Sequence, residues 1–359
     1  KEKKKMKKLV ALVLAGATML MTGCGSTQTA ETDAYKGQTL KFYNWGEYVG
    51  ENVVADFEKQ YGCKVISEYF DSNEMMYTKL QAGDAYDVIV PSDYMIERMK
   101  KEDMLQPLDK DKIPNLSKLT DKMSCDFDPD HEYSVPYFWG NVGLVYNKTK
   151  VSKDEIESKG WDILQDTKYK DSIYVYDSER DAFMVAFKAL GYSMNTDKDE
   201  EITAASQWLK TVNDTMGPVY VTDEVIDSMS NGAKDIAVVY SGDAAYILDQ
   251  NEDMAYCQPK QGTNVWTDAM VIPKNAENPE LANVFINFIL EDKESLDNSQ
   301  TVGYASSNQN VLNELSEGDY AENEAYLPRS GYDKDEYFHD NETLRAKLSE
   351  LWIKIKAGN

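Results

Sequence analysis

The sequence predicts an α/β protein of two lobes, each a doubly wound sheet, with hinge crossings between them and a ligand cleft where they meet. Three observations carry this. From residue 39 onward, strand-like and helix-like patterns alternate. The segment Asp87-Val88-Ile89-Val90 is short and almost wholly apolar, as in a parallel sheet covered on both faces. The 359 residues are enough for two cores, and a polar stretch at 147–153 and an extended one at 263–273 are placed where the chain could cross between them.

The elements follow in order. Residues 40–45 read as a strand. Val53, Val54, Phe57 and Tyr61 recur at helical spacing, and Gly62 ends that helix. A strand at 64–70 leads to Asp71-Ser72, an N-cap for a helix holding Met75, Met76 and Leu80 and ending at Gly83. After the strand at 87–90 comes Pro91-Ser92-Asp93-Tyr94 and another helix. Residues 134–140 and 142–147 read as extended chain, and 147–153 as the first crossing. In the second lobe a strand at 173–176 precedes Ser178-Glu179-Arg180-Asp181, which opens a helix with Ala182, Phe183, Ala186, Phe187 and Leu190 on its apolar face. A strand at 235–240 turns through Ser241-Gly242-Asp243-Ala244 into a helix. Residues 263–273 are the return crossing, 278–290 an amphipathic helix of the first lobe, and 342–356 a last helix packed on the second. The expected division is 38–146 plus 270–318 for the first lobe, and 147–269 plus 319–359 for the second.

Residues 1–23 are not part of the fold. Lys1 to Lys8 are strongly basic, and Leu9 to Met21 form an apolar run too short to span a bilayer, so they read as a secretory signal, with Met6 as the natural start. The run ends Leu20-Met21-Thr22-Gly23-Cys24, which resembles a bacterial lipobox with Cys24 as the lipidated residue. Residues 24–37 are then a flexible tether. The expected location is extracytoplasmic, on the outer face of the cell membrane or in the periplasm. Residues 24–359 carry 32 basic against 62 acidic side chains. Such a surface repels nucleic acid and raises the local concentration of cations, although net charge also serves solubility alone.

Cys63, Cys125 and Cys257 remain, an odd number for an extracytoplasmic protein. A Cys125–Cys257 bridge and three separate buried thiols both stay open. His131 and His339 are the only histidines, and no metal or cofactor is expected.

Acid-plus-aromatic groups recur at strand ends: Trp45/Glu47/Tyr48, Ser92/Asp93/Tyr94, Tyr240/Asp243 and Trp266/Asp268, with Asp181 at a fifth junction. In open α/β sheets ligands sit beyond the carboxyl ends of strands. Carboxylates neutralise an ammonium and aromatic faces attract one. Each group also has a plain structural reading. Asp181 stands at capping-box spacing from Ser178, Asp243 could cap its own helix, and Trp266 could be a core aromatic. There is no Gly-x-Ser-x-Gly, phosphate-cradling glycine loop or His-Glu-x-x-His, so an enzyme is not expected. A solute-binding protein for another ligand, such as a sugar, and a carboxylate-pair glycoside hydrolase are the alternatives.

Seven stretches together resemble the spermidine/putrescine-binding proteins of bacterial ABC importers, within the periplasmic-binding-protein group. They are Tyr43-Asn44-Trp45-Gly46-Glu47-Tyr48, Asp87-Val88-Ile89-Val90-Pro91-Ser92-Asp93-Tyr94, Pro136-Tyr137-Phe138-Trp139-Gly140, Leu190-Gly191-Tyr192-Ser193, Tyr240-Ser241-Gly242-Asp243-Ala244, Trp266-Thr267-Asp268-Ala269-Met270-Val271-Ile272-Pro273 and Val302-Gly303-Tyr304. The resemblance runs from about residue 38 to the C-terminus. It implies the second type of periplasmic-binding-protein fold, a monomer, a polyamine ligand (putrescine or spermidine) and ABC permease subunits as partners, with the lipid anchor at the membrane. It also implies a ligand set. Trp45 packs on the methylene chain, Glu47 and Tyr48 lie near one amine, and Ser92 and Tyr94 contact an amine end. Trp266 and Asp268 give a wall and an ammonium-binding carboxylate, Asp181 an acid of the second lobe, and Tyr304 a lining phenol. Tyr240 stands where the family usually has Trp, and Asp243 matches putrescine-preferring members. A C-terminal glutamine contact of some members has no counterpart near Phe338.

Overall fold

The computed structural model describes residues 34–123 and 125–358. The expected signal segment and the expected lipidation site Cys24 lie outside them. In chain order the strands and helices are β1 (Thr39–Trp45), α1 (Val53–Tyr61), β2 (Lys64–Phe70), α2 (Asn73–Gln81), β3 (Val88–Ile89), α3 (Asp93–Lys101) and β4 (Ser134–Asn147). Next come α4 (Lys153–Lys159), β5 (Ile173–Tyr176), α5 (Glu179–Ala189), α6 (Asp199–Met216), β6 (Val219–Val221), α7 (Glu224–Ser230), β7 (Ile236–Tyr240), α8 (Ser241–Gln250) and β8 (Met254–Cys257). The chain continues with β9 (Val265–Val271), α9 (Pro279–Ile289), α10 (Asp292–Val302), β10 (Ala305–Ser306), α11 (Gln309–Glu317) and α12 (Glu342–Lys356).

The strands follow the order β2-β1-β3-β9-β4-β7-β5-β6, with β8 and β10 also on β4. β1 runs parallel to β2 and β3, and β9 runs antiparallel to β3 and β4. Its two-residue period places Leu40 and Phe42 in one apolar cluster and Tyr43 in another. Phe42 meets Phe285 of α9 at 5.0 Å between ring centroids, and Tyr43 stacks on Tyr86 at 4.3 Å. In the second lobe β7 is antiparallel to β4 and parallel to β5, which is parallel to β6. α5 is buried nearly all round, from Ala182 to Phe187, because α6 and α12 cover it.

The crossing lies elsewhere than the polar stretch at 147–153. β4 is one strand of 14 residues that serves both lobes. Ser134 to Asn141 pair with β9, and Val142 to Tyr146 pair with β7. The change of partner falls at Asn141–Val142. A buried strand needs hydrogen-bond partners along its whole length, and here two sheets supply them in turn. β9, inside the expected return stretch 263–273, pairs with the same half of β4 as far as Asn141. Val311, Leu312 and Leu315 of α11, expected in the first lobe, share a cluster with Val225, Met229, Ala237 and Val239 of the second. The last helix packs on α5 and α6. Cys63, Cys125 and Cys257 are all free thiols, and no bridge joins Cys125 to Cys257.

Candidate functional site

A ladder of aromatic ring edges runs across the junction of the lobes. Tyr48 meets Tyr304 at 5.8 Å, Tyr304 meets Trp266 at 5.1 Å, Trp266 meets Tyr240 at 6.3 Å, and Tyr240 meets Tyr176 at 4.7 Å. Every contact is edge-on, the arrangement the ring quadrupoles favour. Each tyrosine of the ladder donates its hydroxyl to a carboxylate. Tyr48 bonds Asp268 Oδ2 at 2.9 Å, Tyr304 bonds Asp243 Oδ1 at 3.3 Å, Tyr240 bonds Asp181 Oδ2 at 2.6 Å, and Tyr176 bonds Asp223 Oδ1 at 3.3 Å.

Local structure sets these groups in place. Tyr176 and Tyr240 end β5 and β7. Two glycines give the larger rings room. A Cβ on Gly140 of β4 would come within 2.5 Å of the Trp266 ring and 2.7 Å of Ser241 Oγ. One on Gly242 would come within 2.5 Å of the Tyr304 ring. Ser178 caps α5 by accepting from the Asp181 N–H at 3.3 Å. The Asp181 carboxylate takes no part in that cap. Its Oδ2 receives Tyr240, and its buried Oδ1 has no hydrogen-bond partner. Asp243 does not cap α8 either, and turns to Tyr304.

The electrostatics are those of an acid cluster short of cations. Among the described residues no Lys or Arg is ion-paired with Asp181, Asp243 or Asp268. Burial pushes Asp268 up to about 6, against the hydrogen bonds of Ser92 and Tyr48 and the charge of Arg180. Burial, helped by the charge of Asp223, pushes Asp243 up to about 7. Asp93 reaches about 8, again through burial, against backbone N–H bonds from Tyr94 and Thr267. Burial also holds the Tyr48, Tyr240 and Tyr304 hydroxyls protonated, well above their ordinary value. A buried carboxylate without a counter-ion is costly, so this site favours an organic cation with several N–H donors. Among the described residues no group of three or more His, Cys, Asp or Glu could hold a metal ion.

The structure thus brings together Tyr48, Asp181, Tyr240, Asp243, Trp266, Asp268 and Tyr304. Ser92 joins them through Asp268. Trp45 stands off the ladder, packed on Phe70 at 4.5 Å with its indole N–H on the Val90 carbonyl at 2.9 Å. Tyr94 is buried beneath Arg180. Glu47 is exposed, with a left-handed backbone at φ 51, and stands outside the cluster. Sequence reasoning missed Tyr176, Asp223 and Arg180. Tyr176 ends a strand next to Asp177, so the same strand-end signal could have found it. Asp223 follows the short strand β6 and is the N-cap of α7, so the same signal applies there once β6 is recognised.

Residues 52–328 match the family described as bacterial extracellular solute-binding protein. The chain belongs to that family. Among relatives of this solute-binding protein, the spermidine/putrescine-binding periplasmic protein of Salmonella typhimurium is 34% identical over 350 residues, covering 97% of this chain and 98% of the relative. The spermidine/putrescine ABC transporter substrate-binding protein of Streptococcus pneumoniae, solved with calcium and HEPES, is 35% identical with a TM-score of 0.77, over 90% of this chain and 99% of that one. A lipoprotein of Treponema pallidum is 26% identical with a TM-score of 0.75, over 89% and 100%. The fold of this solute-binding protein is therefore the two-lobed periplasmic-binding-protein fold. Among the described residues no helix is long and apolar enough to cross a membrane.

Proposed function

We propose that this solute-binding protein captures a polyamine, putrescine or spermidine, between its lobes and delivers it to an ABC importer. It acts as a monomer held at the outer face of the cell membrane by a lipid on Cys24, and it does no covalent chemistry. The observation that carries the reading is the tyrosine–carboxylate ladder: Asp181, Asp243 and Asp268 lie at the lobe junction beside Trp266 and Tyr304, and among the described residues no Lys or Arg forms an ion pair with them. A protonated diamine supplies what these groups lack. Its ammonium ends pair with carboxylates, and its methylenes lie along ring faces and edges. The spermidine/putrescine-binding names of the relatives support the same ligand class. A neutral sugar would leave the buried acids without counter-charge. The test is calorimetric titration of the chain lacking residues 1–24 with putrescine, cadaverine, spermidine and spermine. Heat with at least one of the four is expected, and no binding of any would overturn the reading.

A further inference from the structure

Arg180 lies in the first turn of α5, next to Asp181, yet its side chain leaves the second lobe. Its guanidinium carbon is 4.2 Å from the ring centroid of Tyr94, on α3 of the first lobe. On another side it is 5.2 Å from the ring of Phe338, in the segment leading to α12. Its Nη1 is 4.0 Å from Oε1 of Glu74, the oxygen that accepts the Tyr94 hydroxyl at 3.0 Å. Its buried Nε has no hydrogen-bond partner among the described residues. The flat cation is therefore placed by the Tyr94 and Phe338 rings and the Glu74 carboxylate, with the charge of Asp181, on its own helix, beside it. Cation–π attraction of this kind is strongest where water is kept out. Further contacts between the lobes lie alongside. His339 Nδ1 is 2.9 Å from Glu97 Oε1, the Asp340 N–H donates to Glu97 Oε2 at 3.0 Å, and Lys101 Nζ is 3.7 Å from Asp340 Oδ2. Glu97 and Lys101 belong to α3, whereas residues 338–340 lead into α12 on the second lobe.

We propose that Arg180 is an interlobe latch, a positioning residue that reaches from the second lobe onto Tyr94 and Glu74 of the first and holds the two lobes closed. The proposal deepens the polyamine reading and rests on its two-lobed cleft. Opening the lobes would rehydrate the guanidinium and uncover the Tyr94 ring, so these contacts stabilise only the closed form. The charge of Arg180 offsets only part of the burial that raises Asp93 and Asp268. Lysine is a poor substitute, because a compact, strongly hydrated ammonium does not lie flat on a ring.

The test compares wild type with Arg180→Met and Arg180→Lys by two readouts. Small-angle X-ray scattering of the ligand-free chain reports how open the lobes are, and stopped-flow tryptophan fluorescence with putrescine reports kon and koff. Arg180→Met is expected to enlarge the ligand-free radius of gyration and to raise koff about tenfold, with kon changed less than about threefold. Arg180→Lys should recover only part of either change. Unchanged scattering together with unchanged koff in Arg180→Met would overturn the latch. If wild type binds no polyamine, the functional reading falls, and scattering alone decides the latch: a more open Arg180→Met supports it and identical profiles refute it. Should Arg180→Met fail to fold by circular dichroism, Arg180→Lys carries the same comparison.

Discussion

Polyamine binding should release protons, and the size of the effect follows from two carboxyls. Burial disfavours the charged forms and pushes Asp268 up to about 6 and Asp243 up to about 7. An ammonium pairs with the ionised acid, so each protonated carboxyl must lose its proton before it can serve. The affinity is then divided, for each acid, by one plus the ratio of its protonated to ionised forms. With both acids facing the ligand, affinity for putrescine falls about twentyfold from pH 8 to pH 6, and about a thousandfold by pH 5. About 1.4 protons should leave per putrescine bound at pH 6, and about 0.1 at pH 8. Putrescine stays doubly charged over this range, so the protein alone sets the slope. Titration calorimetry in two buffers of different ionisation enthalpy, from pH 5 to pH 8.5, measures both quantities. A flat affinity profile, or protons taken up on binding, would refute the assignment of Asp243 and Asp268 to the ammonium groups.

Three other outcomes follow from the same geometry. Asp268→Asn should weaken putrescine at least about tenfold through loss of an ion pair, and unaltered affinity would count against its role. Because the native fold raises the Asp268 carboxyl above its ordinary value, its ionisation costs stability that is absent near pH 4 and grows as pH rises to about 7. Asp268→Asn should therefore raise Tm at pH 8 more than at pH 4, which scanning calorimetry reads directly. Asp243→Ser should impair putrescine more than spermidine in competition binding, and equal losses would refute a selective role. Gly140→Ala places a methyl group against the Trp266 ring; chemical unfolding should show a loss of about 1–3 kcal/mol, with weaker putrescine binding, and wild-type values for both would mean the ring has room to shift.

Much of the architecture was legible in the sequence because it depends on local periodicity. The two-residue alternation of β1, the apolar run of β3 and the apolar faces of α5 and α9 each fall within a dozen residues. The same local signals placed Tyr48, Asp181, Tyr240, Asp243, Trp266 and Asp268 at element ends, where a sheet presents groups to a crevice. They misplaced the crossing, because a strand passing from one sheet to another looks the same along its length. They could not decide Glu47 either. Its approach along β1 matches that of Tyr48, and only the left-handed turn sends its side chain into solvent.

By itself, the sequence determined the strand–helix order and the acidic and aromatic character of the strand ends. Only the tertiary structure decided which tyrosine holds which acid, across separations of 47 to 220 residues. It alone freed Asp181 from the helix cap and carried Arg180 over to Tyr94. The reason is physical. Hydrogen bonds and cation–π contacts form between whichever groups packing brings within a few ångströms, and burial then fixes their charge.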